Sequence, residues 1–293
     1  MQQFDSLRQL YESRRLEEAW QEYQRLLESG AADAEVHLLG ALTARRMPVP
    51  DYREARRALE RAEAANPAGV TLGKLWLSMG TLLREIGDTS AAIEYLEKFI
   101  HGIETYPDLR SVCYGAAHYN LGLAYRCARR YQDALNAYET AAAEFRQNDF
   151  PEYLRQCLQN MAWLQCIIGA VQAAEAALTE AEDLCKTDTA RWHQRIGWAY
   201  LEVISGERTS ALTRCESIIA AEAVAPPEVV SHAYWVAGQV ALTLGQIDQA
   251  GLMADQAVSW SLKVKDDVRP MQDANALRRE IYQTKVHKDQ TGA

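Results

Sequence analysis

Residues 118–141 read HYNLGLAYRCARRYQDALNAYETA. His118, Leu121, Gly122 and Tyr125 fall on one face of a first helix, and Ala134, Tyr138 and Ala141 on one face of a second. A small residue sits in each stripe: Gly122, then Ala134. Two helices approach closely only where such residues meet, so the stretch predicts a helical hairpin with a turn near Arg129.

The alanine returns along the chain as Ala19, Ala55, Ala92, Ala134, Ala174, Ala211 and Ala250, at steps of 36, 37, 42, 40, 37 and 39 residues. Four residues later come Tyr23, Leu59, Leu96, Tyr138, Leu178 and Cys215, with Ala254 the small exception. Seven residues later come Leu26, Ala62, Phe99, Ala141, Ala181, Ile218 and Ala257. Twelve before stand Gly80, Gly122, Ala162, Ala199 and Gly238; five before stand Gly87, Gly169, Gly206 and Gly245, with Arg129 breaking that column. Self-similarity at this period is the signature of stacked helical hairpins. Met47-Pro48-Val49-Pro50 reads as a turn inserted in the second unit, and Ala225-Pro226-Pro227 as a connection between the sixth and seventh. The first unit shows only its second helix clearly.

Composition narrows the function classes. The net charge of −9 comes without a Lys/Arg block, so no nucleic-acid partner is expected. No apolar run is long enough to span a bilayer, and Met1 to Arg15 lacks the apolar core of a secretion signal. Cys113, Cys127, Cys157, Cys166, Cys185 and Cys215 form no CxxC pair and read as buried, reduced thiols of a cytoplasmic protein. The histidines His37, His101, His118, His193, His232 and His287 have no metal-ligand spacing. No phosphate-binding loop, dinucleotide fingerprint, zinc-protease motif or nucleophile elbow occurs. No catalytic residue, metal or cofactor is therefore assigned.

The pattern resembles the tetratricopeptide repeat family. Residues 118–141 carry it best; Trp76, Met79, Gly80, Leu83, Ala92 and Leu96 repeat it, as do Tyr234, Ala237, Gly238 and Ala250, and Pro67 holds a unit-terminal proline position. The period exceeds the family's usual ~34 residues, as in its regulatory members. The resemblance implies an all-α, right-handed superhelical solenoid over residues 1–287. Its repeats are expected near 3–30, 33–66, 71–106, 112–148, 152–186, 189–222 and 228–265. A capping helix follows at 269–287 and a frayed tail at 288–293.

In this family the first helices line a concave groove, at positions six and three before the small residue and one and four after it. The implied binding set includes Lys74, Arg84, Tyr119, Arg126, Gln159, Trp163, Tyr200, Trp235 and Gln239. Asn120 and Asn160, two before the small residue, match asparagines that hold a ligand backbone in peptide-binding members. Their competing reading is a hydrogen bond within the helix or between repeats. Lys74, Arg84 and Arg126 suit the acidic end of a peptide, and Trp163, Tyr200 and Trp235 its apolar side chains; the aromatic residues equally suit packing on the next repeat. The carboxylate clamp of chaperone-binding members cannot be placed: Lys74, Asn120, Arg126 and Asn160 give only a partial, out-of-order set.

The expected function is a non-enzymatic adaptor holding a protein or peptide in the groove. One alternative is a peptide-sensing regulator acting on a separate effector chain, since the repeats begin by about residue 16 and leave no room for an effector module. The other is an oligomeric assembly subunit.

Overall fold

The computed structural model describes residues 2–105, 107–264 and 269–291. Among these the chain is all-α, and its helices pair as successive hairpins. They are α1 (Gln2–Glu12) with α2 (Leu16–Glu28), α3 (Ala34–Arg46) with α4 (Tyr52–Ala64), and α5 (Gly69–Glu85) with α6 (Thr89–Thr105). Then come α7 (Asp108–Cys127) with α8 (Tyr131–Gln147), and α9 (Pro151–Ile167) with α10 (Val171–Asp183). The last are α11 (Asp188–Ile204) with α12 (Arg208–Ile219), α13 (Pro227–Thr243) with α14 (Ile247–Ser261), and the terminal α15 (Arg269–Thr291). The chain sorts into two compact units, residues 1–144 and 145–293. Each is a solenoid-type stack of hairpins.

The alanine column explains the stacking. All seven alanines, and every residue four and seven positions after them, are buried. These three positions lie on one face of each even-numbered helix, which therefore turns the same stripe inward every time. The opposing small residue admits the neighbouring side chain. A Cβ placed on Gly80 would meet Leu96 Cγ at 2.6 Å, and one on Gly122 would meet the Tyr138 ring at 2.7 Å. Any larger residue there overpacks the contact.

The turn column is equally regular. Gly87, Gly169, Gly206 and Gly245 hold φ of 86°, 76°, 84° and 72°, the left-handed conformation that ends a helix at low cost on glycine. Arg129 does not break the geometry: it takes φ 58° at the same position, as Arg14 does at 59°. The hydrogen bonds match too, with Arg130 N–H to the Tyr125 carbonyl at 2.9 Å and Ala170 N–H to the Gln165 carbonyl at 2.8 Å.

Odd-numbered helices also pack on one another. In the first unit α1, α3, α5 and α7 contact in succession; in the second, α9, α11, α13 and α15 do. Each unit thus presents one layer of odd helices. In the second, α15 packs on both α13 and α14, and its Leu277 and Ile281 join the core with Ala250 and Ala254.

Some expectations need correction. The first unit has both helices, because α1 places fully buried Leu7 where later units carry a small residue. α15 continues to Thr291, beyond the expected end of the cap. Cys127, the last residue of α7, is exposed. The other expectation for cysteine holds in the cores, where burial pushes the Cys157 and Cys215 thiols up to about 12 and Cys166 to about 11.

Candidate partner-binding surfaces

The groove positions implied by the repeat lie on the odd-helix layers. In the first unit, Lys74 and Arg84 stand on α5 and Tyr119, Asn120 and Arg126 on α7, all half-buried. Arg84 Nε donates to Asn120 Oδ1 at 3.3 Å, and Asn120 Nδ2 donates back to the Ala116 carbonyl at 2.8 Å. Both ends of this amide are thus engaged within the layer. Arg84 also reaches Glu85 at 3.4 Å, while Arg45 on α3 clasps the same carboxylate through two bonds of 2.9 and 2.7 Å. Two guanidiniums share one carboxylate across α3, α5 and α7. The Arg45 and Glu85 side chains are only 17% and 16% exposed, so the pair is poorly screened. Tyr119 packs at 5.9 Å from the Tyr138 ring. Lys74 faces Cys113, whose thiol burial pushes up and the lysine charge partly brings down.

The second unit uses the same register differently. Trp163 on α9, Tyr200 on α11 and Trp235 on α13 stack in one run. The ring centroids are 6.1 Å apart at 21° for Trp163–Tyr200, and 5.3 Å apart at 34° for Tyr200–Trp235. His232 meets Trp235 edge-on at 6.5 Å. All four are half-buried. The run therefore both packs repeat on repeat and keeps part of each ring at the surface.

The amides around it are engaged. Gln159 accepts from Arg155 at 2.6 Å and donates to Gln194 at 3.0 Å, and Gln194 passes its own N–H to the Leu178 carbonyl at 2.7 Å. Buried Arg155 is paired with Glu152. Asn160 Nδ2 donates to the Gln156 carbonyl at 2.9 Å, the same bond that Asn120 makes. Gln239 reaches Glu280 at 3.4 Å.

Two pairs join successive odd helices: His193 with Glu228 at 3.3 Å, and His232 with Asp273 at 3.4 Å. The His193 hydrogen bond holds the Glu228 carboxyl below the usual range, against the opposing effect of burial. These pairs, the Arg45–Glu85 clasp and Gln194 are absent from the sequence-derived set. The one available signal was the recurrence of histidine at the same register in α11 and α13.

Elsewhere in this unit, α10, α11 and α12 enclose an open cavity of about 400 Å³ lined by Glu175, Glu182, Trp198, Glu202, Glu207 and Arg214. Arg214 is spent on Glu202 at 2.6 Å, and the Trp198 indole donates to Glu182 at 3.2 Å. Among the described residues no group of histidine, cysteine and carboxylate side chains is arranged to hold a metal, and no helix is long and apolar enough to cross a membrane.

Neither a protein-family model nor a curated protein sequence matches the chain. Solved structures do. A tetratricopeptide repeat protein from Parabacteroides merdae aligns over 94% of this chain and 99% of its own, with a TM-score of 0.62 and 16% identity. A Rap protein complexed with competence and sporulation factor aligns over 98% and 88%, with a TM-score of 0.66 and 12% identity. The Rap conjugation gene regulator of plasmid pLS20, in complex with the Phr* peptide, aligns over 96% and 80%, with a TM-score of 0.59 and 16% identity. The likeness is one of backbone fold. The chain has a tetratricopeptide-type repeat fold.

Proposed function

We propose that the chain is a non-enzymatic interaction scaffold that holds a peptide or partner protein on the odd-helix layer of its repeats. The observation that carries the reading is the run of Trp163, Tyr200 and Trp235. Three large aromatic rings stand on three successive odd helices, Trp163 and Tyr200 one residue after the small position and Trp235 three before it, and all are half-buried. Aromatic residues of this kind dominate binding hot spots. The first unit contributes a second, polar surface, where Lys74, Arg84 and Arg126 suit an acidic segment. Free cysteines in both units fit a cytoplasmic location.

A second reading, a peptide-sensing regulator acting through a separate effector chain, draws support from the two Rap structures, each solved with a peptide or factor bound. The sensor reading expects a short peptide to raise the melting temperature, because a ligand specific for the folded state stabilises it by mass action.

The test of the main reading is capture of partners from native lysate on the immobilised protein, beside a Tyr200→Ala/Trp235→Ala variant of verified helicity. Partners held by the parent and lost by the variant support it. Partners held equally by both remove the binding site from the aromatic face.

A further inference from the structure

We infer that the aromatic face of α9, α11 and α13 takes a basic, arginine-bearing segment of a partner protein, its arginine stems along the rings and its guanidinium groups on the carboxylates of α13 and α15; this rests on the scaffold reading above. The charge of the face and the surroundings of its rings both point to that chemistry.

The charge comes from three carboxylates. Glu228 on α13 meets His193 at 3.3 Å, Asp273 on α15 meets His232 at 3.4 Å, and Glu280 on α15 meets the Gln239 amide at 3.4 Å. An imidazole is a cation only when protonated, and histidine carries little charge above about pH 7. There the contact gives a carboxylate a hydrogen bond and leaves its negative charge in place. An amide does the same. The basic side chains nearby answer other carboxylates: Arg155 pairs with Glu152, Arg191 with Asp188, Arg278 with Asp255 and Lys285 with Asp248. Asp273 and Glu280, seven residues apart, share one stripe of α15, and Arg279 stands about 100° round the helix from Glu280. The face is therefore negative. A cationic partner gains on it and an acidic one is repelled.

These carboxylates lie beside the rings. His232, which meets Asp273, also meets the Trp235 ring edge-on at 6.5 Å. From Trp235 the run continues to Tyr200 and Trp163 in steps of 5.3 and 6.1 Å. Glu280 lies one helical turn further on, at Gln239. The Glu228 and Asp273 side chains are 30% and 26% exposed, so both are reachable from solvent. A ligand group suited to this surface needs an apolar stem for the rings and a cationic head for the carboxylates. Lysine and arginine both have that form. Arginine fits better, because its planar guanidinium stacks on aromatic rings and grips a carboxylate through two bonds. The lysine ammonium is a compact, strongly hydrated charge. The rings supply most of the affinity, and the carboxylates select the sign of the charge.

The experiment is fluorescence anisotropy at pH 8 with four labelled peptides of equal length: Arg-Ser, Lys-Ser, Glu-Ser and Gly-Ser repeats. The parent is compared with Tyr200→Ala/Trp235→Ala, with Asp273→Asn/Glu280→Gln, and with Glu175→Gln/Asp183→Asn. The last removes the same charge from exposed sites on α10, and helicity and melting are checked for each. The parent should bind Arg-Ser about tenfold or more tighter than Gly-Ser. It should bind Arg-Ser about two- to fivefold tighter than Lys-Ser, the worth of one cation stacked on an exposed ring. The aromatic variant should weaken Arg-Ser by about tenfold or more. Asp273→Asn/Glu280→Gln keeps the shape of both side chains and should weaken it about three- to thirtyfold, the range of two partly exposed ion pairs. Glu175→Gln/Asp183→Asn should leave it unchanged. Arg-Ser binding no tighter than Gly-Ser or Lys-Ser, tighter binding of Glu-Ser, no binding of any peptide, or equal losses in the α10 and α15 variants overturns the inference. The scaffold reading falls separately: it fails when captured partners stay bound to Tyr200→Ala/Trp235→Ala, whichever peptide binds.

Discussion

The odd-helix layers of the two units share a backbone register and differ in what they put on it. In α5 and α7 the outward positions carry Lys74, Arg84 and Arg126, and Arg84 is tied with Arg45, Glu85 and Asn120 into one charged network. In α9, α11 and α13 such positions carry a run of aromatic rings, with His193 and His232 beside the carboxylates of Glu228 and Asp273. A repeat fixes where a side chain stands and leaves its chemistry open. One scaffold therefore carries an arginine–carboxylate network in one unit and a run of aromatic rings in the other.

The largest effect belongs to what the units share. Ala134→Leu places a branched side chain in a fully buried column and should cost about 1–3 kcal/mol, read as a lowered denaturation midpoint. The neighbouring glycines sharpen this. Gly122→Ala drives a Cβ to 2.7 Å from the rigid Tyr138 ring, while Gly238→Ala meets the flexible end of Leu277 at 2.8 Å. The first should therefore destabilise more than the second; equal losses would mean that both cores relax alike.

Next comes Glu85→Gln. It leaves Arg45 and Arg84 without their shared carboxylate in a poorly hydrated place and should cost about 2 kcal/mol. The loss should change little with added salt, because the arginines and the carboxylate are largely buried and poorly screened. No loss at all would mean that water replaces the carboxylate freely.

The turns give a smaller and opposite effect. Arg129 sits exposed at φ 58° where the second unit uses Gly169 at φ 76°. Arg129→Gly should stabilise by about 0.5–1 kcal/mol, because the left-handed strain removed exceeds the added freedom of the unfolded chain. Gly169→Arg should destabilise. The smallest effect is on the acid limb. Glu228 titrates below its ordinary range in the folded state, so its contribution is present above the unfolded value and lost as pH falls through the folded one. Glu228→Gln should lower stability near neutral pH and flatten its decline in acid. An acid limb parallel to the parent's would remove the pair from the account.

Most of the fold was legible because burial is periodic. The column at Ala19 through Ala250 and its partners four and seven residues on are all buried, and a pattern at helical spacing needs no knowledge of partners. Even the Arg129 turn was legible by position, since its place in the unit matters more than its residue type. Helix α1 was less so, because Leu7 stands where later units show a small residue. The surfaces were only partly legible. Repeat arithmetic puts Trp163 and Tyr200 one residue after the small position and Trp235 three before it, but does not show the three rings meeting. Arg45 and Glu85 are forty residues apart and meet only because α3 packs on α5. The self-bonding of Asn120 and Asn160 depends on side-chain rotamers that no spacing records.

One measurement tests the contrast directly: dissociation of a captured partner from the parent, from Tyr200→Ala/Trp235→Ala and from Arg84→Ala/Arg126→Ala, each at low and high salt. The account predicts that the aromatic variant loses the partner at both salt concentrations, while the arginine variant keeps it once salt is high. Retention by the aromatic variant with loss by the arginine variant would contradict it and move recognition to the charged face of the first unit.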